Sequence, residues 1–294
     1  MTTLHNSSQR DVSELPCVIY TPASPLRQPV ELARNMLRNL VNSRELAWRL
    51  FVRDTSAQYR QSVLGYLWVF IPPLVAGLPF VYLNAQGVVS IGATPIPYAA
   101  YAIIGTTIWQ VFVDAVNAPL RTMMAARPML TRINLPQEAI LLSALAQVAL
   151  GFLVRLVLLI GVLAYFRVAP PLTAFLFPIG IFSLVLVGFV MGLLLTPLGV
   201  LYTDVQQTLP IATTFLMLFT PVVYPIPNSG LARVVAGFNP LTPLVTATRD
   251  WLTVGATTHA AALSFTTLVA LACLLIGWIA MRVAMPHLVA RIGS

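Results

Sequence analysis

The chain contains no lysine; all 17 of its basic residues are arginine. A phosphate-binding loop ending in Gly-Lys-Ser/Thr needs its lysine to reach the phosphates, so this sequence cannot build one. Schiff-base chemistry is excluded for the same reason. Cysteine is nearly absent as well: Cys17 and Cys273 stand far apart and outline no disulfide framework. His5, His259 and His287 occur at no metal-ligand spacing. Neither Gly-x-Ser-x-Gly nor His-Glu-x-x-His is present. No catalytic constellation, metal site or resident cofactor is therefore expected.

Charge is the other scarcity. Only 9% of the residues are charged and 58% are hydrophobic, whereas soluble domains carry about 25% charged residues. The deficit is spread over most of the length, which predicts an all-α polytopic membrane protein. Residues 1–29 form a polar lead-in with Pro16, Pro22, Pro25 and Pro29. They hold no apolar core, so no cleavable signal peptide is expected, and the N-terminus is assigned to the cytoplasm.

What is present begins at Arg53–Pro73, RDTSAQYRQSVLGYLWVFIPP, where the chain changes solvent. Arginines crowd the sequence before it, and between Arg60 and Asp114 no charged side chain occurs. That uncharged run exceeds the roughly 20 residues one crossing needs. Residues 30–53 read as an amphipathic helix lying in the membrane interface. Projected at helical periodicity, Leu32, Met36, Leu37, Leu40, Leu46, Ala47, Trp48, Leu50 and Phe51 fall on one side. Glu31, Arg34, Arg38, Glu45, Arg49 and Arg53 cluster on the other, with Arg44 the exception.

Residues 54–284 divide into six expected spans: 63–83, 96–118, 139–166, 172–200, 208–224 and 260–281. Pro72, Pro73 and Pro79 predict a kinked first span. Residues 119–138 read as a basic cytoplasmic loop with a short helix or two. Residues 225–255, broken by Pro225, Pro227, Gly230, Gly237, Pro240 and Pro243, read as two short re-entrant helices at the outer face. Residues 285–294 form a cytoplasmic tail. Arg155 lies well inside the third span, where a charge marks a function, snorkels toward the outer headgroups or pairs within the bundle. With both termini inside, thirteen arginines are cytoplasmic, and Arg167, Arg233 and Arg249 are outside. This positive-inside bias favours the six-span topology over its inverse. No internal repeat of roughly 20–50 residues occurs.

On residues alone, three readings remain: a membrane subunit driven by a separate energy-coupling protein, a secondary transporter, and a membrane-embedded enzyme. Secondary transporters pair broken helices with carboxylates near the midplane. The acidic candidates here, Asp114 and Asp204, lie toward the cytoplasmic side.

Four stretches then carry a resemblance. They are Arg53–Pro73; LTRINLPQEAILLS (Leu130–Ser143); YTDVQQTLP continuing to TPVVYPIP (Tyr202–Pro227); and NPLTPLVTATRDWL (Asn239–Leu252). In this order they resemble permeases of ABC exporters for polysaccharides and polyol phosphates, such as the O-antigen (Wzm-like), capsule (KpsM-like) and wall teichoic acid (TagG-like) exporters. Thr131, Gln137 and Thr203 depart from the family pattern, which commonly has a basic residue at each place.

The resemblance implies a homodimeric permease in the bacterial inner membrane. Two copies of a cytoplasmic ATPase, holding ATP and Mg, would drive an undecaprenyl-type lipid-linked polysaccharide between the permeases. Teichoic acid, a small amphiphile or a drug are alternative cargoes, and no nucleic acid is involved. It further implies a coupling segment with Arg121, Arg127, Leu130, Arg132, Asn134, Pro136 and Glu138. A lipid headgroup would enter at Arg53, Tyr59 and Arg60; arginine grips phosphate with a bidentate fork. An outer gate would hold Asn239, Pro240, Pro243 and Arg249. Sugar rings stack their C–H faces on aromatics, which makes Tyr66, Trp68, Phe70, Tyr82, Tyr98, Tyr101, Trp109 and Phe112 candidates for the channel wall, with packing or interface-belt roles as the alternative.

Overall fold

A computed structural model describes residues 38–60, 62–88, 91–130, 135–226 and 229–292, without the side chains of Tyr59 and residues 286–292. The whole polar lead-in, residues 30–37 of the amphipathic segment, and Arg132 and Asn134 lie outside the described residues. Every regular element among those described is helical. The helices are α1 (Arg44–Arg60), α2 (Ile71–Ala85), α3 (Tyr98–Leu130), α4 (Gln137–Tyr165), α5 (Phe177–Leu201), α6 (Thr203–Phe219), α7 (Gly230–Phe238), α8 (Leu241–Thr253) and α9 (Ala260–Ile292). Short 3₁₀ turns, Gly65–Val69 and Leu172–Leu176, precede α2 and α5.

Four helical stretches are long and apolar enough to cross a membrane: Tyr98–Leu130, Gln137–Tyr165, Leu172–Leu201 and Ala260–Met285. They match four of the six expected spans. The other two are shorter. The first expected span begins not at Val63 but at Ile71, because a 3₁₀ turn opened by Gly65 (φ +50°) occupies Gly65–Val69. Pro72 and Pro73 then sit in the first turn of α2, where missing N–H groups cost nothing, and only Pro79 is interior. At 1.5 Å per residue, α2 extends about 22 Å against a hydrocarbon core of about 30 Å. Helix α6 starts at Thr203, directly after α5, and ends at Phe219.

Helix α3 also departs from expectation. It does not end at Ala118 but continues through Pro119 and Pro128 to Leu130. The segment expected as a separate loop is thus largely a rigid extension of a span. The amphipathic helix likewise does not stop at Arg53 but runs to Arg60. Its expected faces are present in part: Ala47 and Leu50 are buried and Arg49 is exposed beside Glu45, but Trp48, expected on the apolar side, is exposed.

Helices α3 and α5 form the centre, and most of their residues are buried; α4 and α9 flank them with apolar outer faces. Leu153, Val157 and Ile160 of α4 and Phe265, Leu268 and Ile276 of α9 are exposed, as suits helices against lipid. The α3–α5 contact is set by small residues. A Cβ on Gly188 would lie 2.8 Å from the Phe112 carbonyl oxygen, and one on Gly192 would collide with the carbonyl of Val116. Gly188, Gly192 and Thr196 recur every fourth residue, so the two backbones approach along one stripe. Ile104, Ile108 and Phe112 of α3 and Leu184 and Leu193 of α5 fill the adjoining core.

Candidate functional site

Helices α3 and α4 are consecutive and packed together, so residues at similar distances from their link come level. Asp114 and Arg155 are such a pair. Arg155 Nη1 donates to Asp114 Oδ2 at 2.6 Å. The arginine side chain is 4% exposed and the aspartate 25%. The sequence left open whether Arg155 carried a function or found a partner; it has a partner. Gly151, one turn earlier, leaves room for it, since a Cβ there would sit 3.4 Å from both charged groups.

The pair borders a cavity of about 160 Å³. Two polar stripes meet in it. Helix α4 presents Gln147, Gly151 and Arg155, spaced by four; helix α3 presents Gln110, Asp114 and Arg121. Thr55 and Gln58 of α1 and Trp68 of the first 3₁₀ turn also line it, and Val69, Pro72, Leu150 and Val154 make the rest of its wall apolar. The glutamines were missed by sequence reasoning, although their helical spacing against Asp114 and Arg155 was the available signal.

The segment after α6 is tied down by two expected gate residues. Asn239 Nδ2 donates to Thr220 Oγ1 at 2.8 Å, and its Oδ1 accepts from the Leu241 N–H at 2.9 Å, opening α8. Pro240 stands immediately before α8 and Pro243 lies in its first turn. Helices α7 and α8 match the two short helices expected over 225–255. Arg249, placed at an outer gate by resemblance, is 2% exposed. Its Nη1 donates to the carbonyls of Val222 (2.9 Å) and Pro221 (3.3 Å), and its guanidinium lies 3.7 Å from the centre of the Tyr101 ring. Tyr101 Oη donates to the Tyr224 carbonyl at 3.2 Å. Gly105, one turn along α3, admits the Val222 carbonyl where any Cβ would collide. Arg249 is thus an internal tie between α8, the segment after α6, and α3.

The expected coupling residues divide. Arg121 is exposed and donates to Gln147 Oε1 at 3.4 Å, which turns it toward the cavity. Arg127 is half-buried on the last turns of α3, and Leu130 is buried. Pro136 is the extended residue that precedes α4. Glu138 is buried, 3.8 Å from Arg282 of α9. Among the expected headgroup residues, Arg53 pairs with Asp54 at 2.7 Å and turns Nη1 onto Met129 Sδ, joining α1 to the end of α3. Arg60 is exposed; the Tyr59 side chain lies outside the described residues.

The candidate wall aromatics also divide. Tyr101, Trp109 and Phe112 are buried, the last two with ring centres 4.9 Å apart. Within this chain they are core side chains, in keeping with the packing role held as the alternative. Tyr66, Trp68 and Tyr82 are exposed; Phe70 and Tyr98 are half-buried.

Residues 45–253 match the family described as ABC-2 type transporter, and this range takes in everything from α1 to the end of α8. The chain belongs to the ABC-2 type transporter family. As an ABC-2 chain it is a multi-pass membrane permease subunit, not an enzyme in its own right. It is 24% identical over 214 residues to the O-antigen export system permease protein RfbA of Myxococcus xanthus, covering 72% of this chain and 81% of that protein. Similarity to proteins of the same description in Klebsiella pneumoniae is 22% identity over 203 residues and 24% over 204, each covering 67% of this chain and 76% of the relative. This ABC-2 chain is thus similar to O-antigen export permeases, as the four sequence stretches led one to expect.

Proposed function

We propose that the chain is the membrane subunit of an exporter that moves a lipid-linked polysaccharide, of the O-antigen class or a similar surface glycan, across the bacterial inner membrane. In this reading α2 and α6 join the four long helices to make six crossings, and both termini are cytoplasmic. Two copies enclose the path. Two copies of a cytoplasmic ATPase, which hold the ATP and Mg, drive it. The lipid anchor is of the undecaprenyl type.

The observation that carries this reading is the similarity to O-antigen export permeases over two thirds or more of each chain. Two further features support it. The chain has no lysine with which to build a nucleotide loop, so an ATP-driven mechanism would need the nucleotide site on another subunit. The arginine distribution places the Leu130 end of α3 inside the cell. That end then projects beyond the membrane as a lever, with Arg127 on it and the link to α4 at its tip. Exposed Tyr66, Trp68 and Tyr82 are available to sugar faces. The buried aromatics serve by holding α3 rigid.

Co-purification tests the reading. The chain should bring down a cytoplasmic ATPase whose hydrolysis rate changes on association. A chain that purifies with no nucleotide-dependent partner contradicts it. Loss of the chain that leaves surface glycan unchanged but makes a small amphiphile toxic would assign the cargo to drugs or lipids.

A further inference from the structure

Glu138 and Arg282 form an ion pair that stops short of contact. Glu138 Oε1 and Arg282 Nη1 stand 3.8 Å apart, both atoms are buried, and neither makes a hydrogen bond. A charge-assisted bond between such groups closes at about 2.7–2.9 Å, so the pair falls about 1 Å short. In the same turns, Gln137 Oε1 of α4 and Trp278 Nε1 of α9 are also buried without a hydrogen bond. Buried groups left unmatched are costly, so a closer approach of the two helices would be favourable here. The pair also lies where movement would arrive. Glu138 is the second residue of α4, directly after the link from the tip of α3. Helix α4 packs chiefly on α3 and α1, whereas α9 packs chiefly on α5 and α8. Among the described residues, Glu138–Arg282 is the one ion pair that joins α4 to α9.

We propose that Arg282 is a positioning residue for coupling: when the link between α3 and α4 moves, Glu138 closes on Arg282 and carries the displacement into α9. Helix α9 is continuous from Ala260 to Ile292, and Arg282 lies about 33 Å from its start at 1.5 Å per residue. It is held to α5 by Thr267 Oγ1, which donates to Ser183 Oγ at 2.9 Å. It also packs on α8, which carries Arg249 and, through that side chain, the Pro221 and Val222 carbonyls. The cytoplasmic link thereby gains a route to the segment after α6 that does not run along α3. Charge is what makes the contact selective. An apolar pair would hold the helices almost equally well at either separation, whereas a directional charge-assisted bond forms only at the closer one. The proposal rests on the exporter reading for the ATPase that would move the link.

The test uses the full chain with the ATPase that co-purifies with it, and reads complex formation, Tm, and the rate of ATP hydrolysis with and without the permease. The neutral pair Glu138→Gln with Arg282→Gln leaves no buried charge unmatched. It should fold with a Tm near that of wild type and join the ATPase. Its stimulation of hydrolysis should fall about tenfold, the contribution of one charge-assisted hydrogen bond in the closed state. Exchanging the charges, Glu138→Arg with Arg282→Glu, should recover most of the loss. A neutral pair that stimulates as wild type does overturns the proposal. So does a neutral pair whose Tm and stimulation fall together, which would make the contact merely structural. Should the neutral pair not fold, the exchange decides: a folded exchange variant without stimulation overturns the proposal as well. A wild-type chain that no ATPase joins sinks the exporter reading and this proposal with it. A stimulating wild type beside an equally active neutral pair sinks this proposal alone.

Discussion

The Arg249 guanidinium lies 3.7 Å from the centre of the Tyr101 ring, deep inside the chain. A resemblance-based reading had placed this arginine at an outer gate. Its position instead joins three segments: α8, which carries it; the Pro221–Val222 carbonyls, which accept from it; and α3, whose ring it covers. While this contact holds, α8 and α3 stay joined.

Replacing Arg249 should therefore cost stability. Arg249→Leu removes the partner of two carbonyls, at about 1–3 kcal/mol for a buried unsatisfied group, and a cation–π contact of about 0.5–2 kcal/mol. The purified variant should show a clearly lowered Tm in detergent. Tyr101→Phe keeps the ring and loses only the bond to the Tyr224 carbonyl, so its Tm should fall less. Equal Tm values for wild type and Arg249→Leu would remove the tie.

The Asp114–Arg155 pair makes a different prediction. Removing one partner leaves the other buried and unpaired, at about 3–5 kcal/mol. Replacing both with leucine removes charge and desolvation together and should cost less than either single change. A double-mutant cycle on unfolding in detergent reads the difference. Strictly additive single effects would mean that the pair does not interact.

Glycine spacing predicts a third contrast. Gly192→Ala drives a methyl group into the Val116 carbonyl and forces α3 and α5 apart, an overpacking cost of about 1–3 kcal/mol. Gly161→Ala on α4 meets no atom within 4 Å and should be neutral or slightly stabilising. Thermal unfolding of the two variants side by side checks this; matching losses would contradict the close α3–α5 approach.

Arg127, together with Arg132 in the adjoining segment, should act in coupling. Alanine at both positions should abolish the effect of the permease on ATPase rate while Tm is kept. If stimulation of hydrolysis is unchanged, the ATPase docks elsewhere.

Much of this was legible in the sequence, for identifiable reasons. Charge scarcity announced the membrane, and hydropathy located α4, α5 and α9 within a few residues of their beginnings. Proline misled twice. Pro119 was read as ending a span, because proline breaks helices in water. In α3 its ring packs toward Gly192 of α5, and the helix continues. Pro72 and Pro73 were read as kinks but sit in the first turn of α2, where they help it start. The two short helices were predicted from Pro225–Pro243, but the contacts of Arg249 were not, because nothing local reveals that two carbonyls and a tyrosine from other segments enclose it. The Gln147–Gly151–Arg155 stripe was readable from spacing and was passed over because glutamine carries no charge.

The central claim, that the chain exports a lipid-linked surface glycan under the drive of a separate ATPase, is tested most directly in cells. Delete the chain in its host and measure surface polysaccharide together with lipid-linked polymer inside the cell. The account predicts that surface glycan disappears and the lipid-linked polymer accumulates internally, with rescue by the wild-type chain only when its ATPase is active. Unchanged surface glycan, or rescue without ATP hydrolysis, would contradict it.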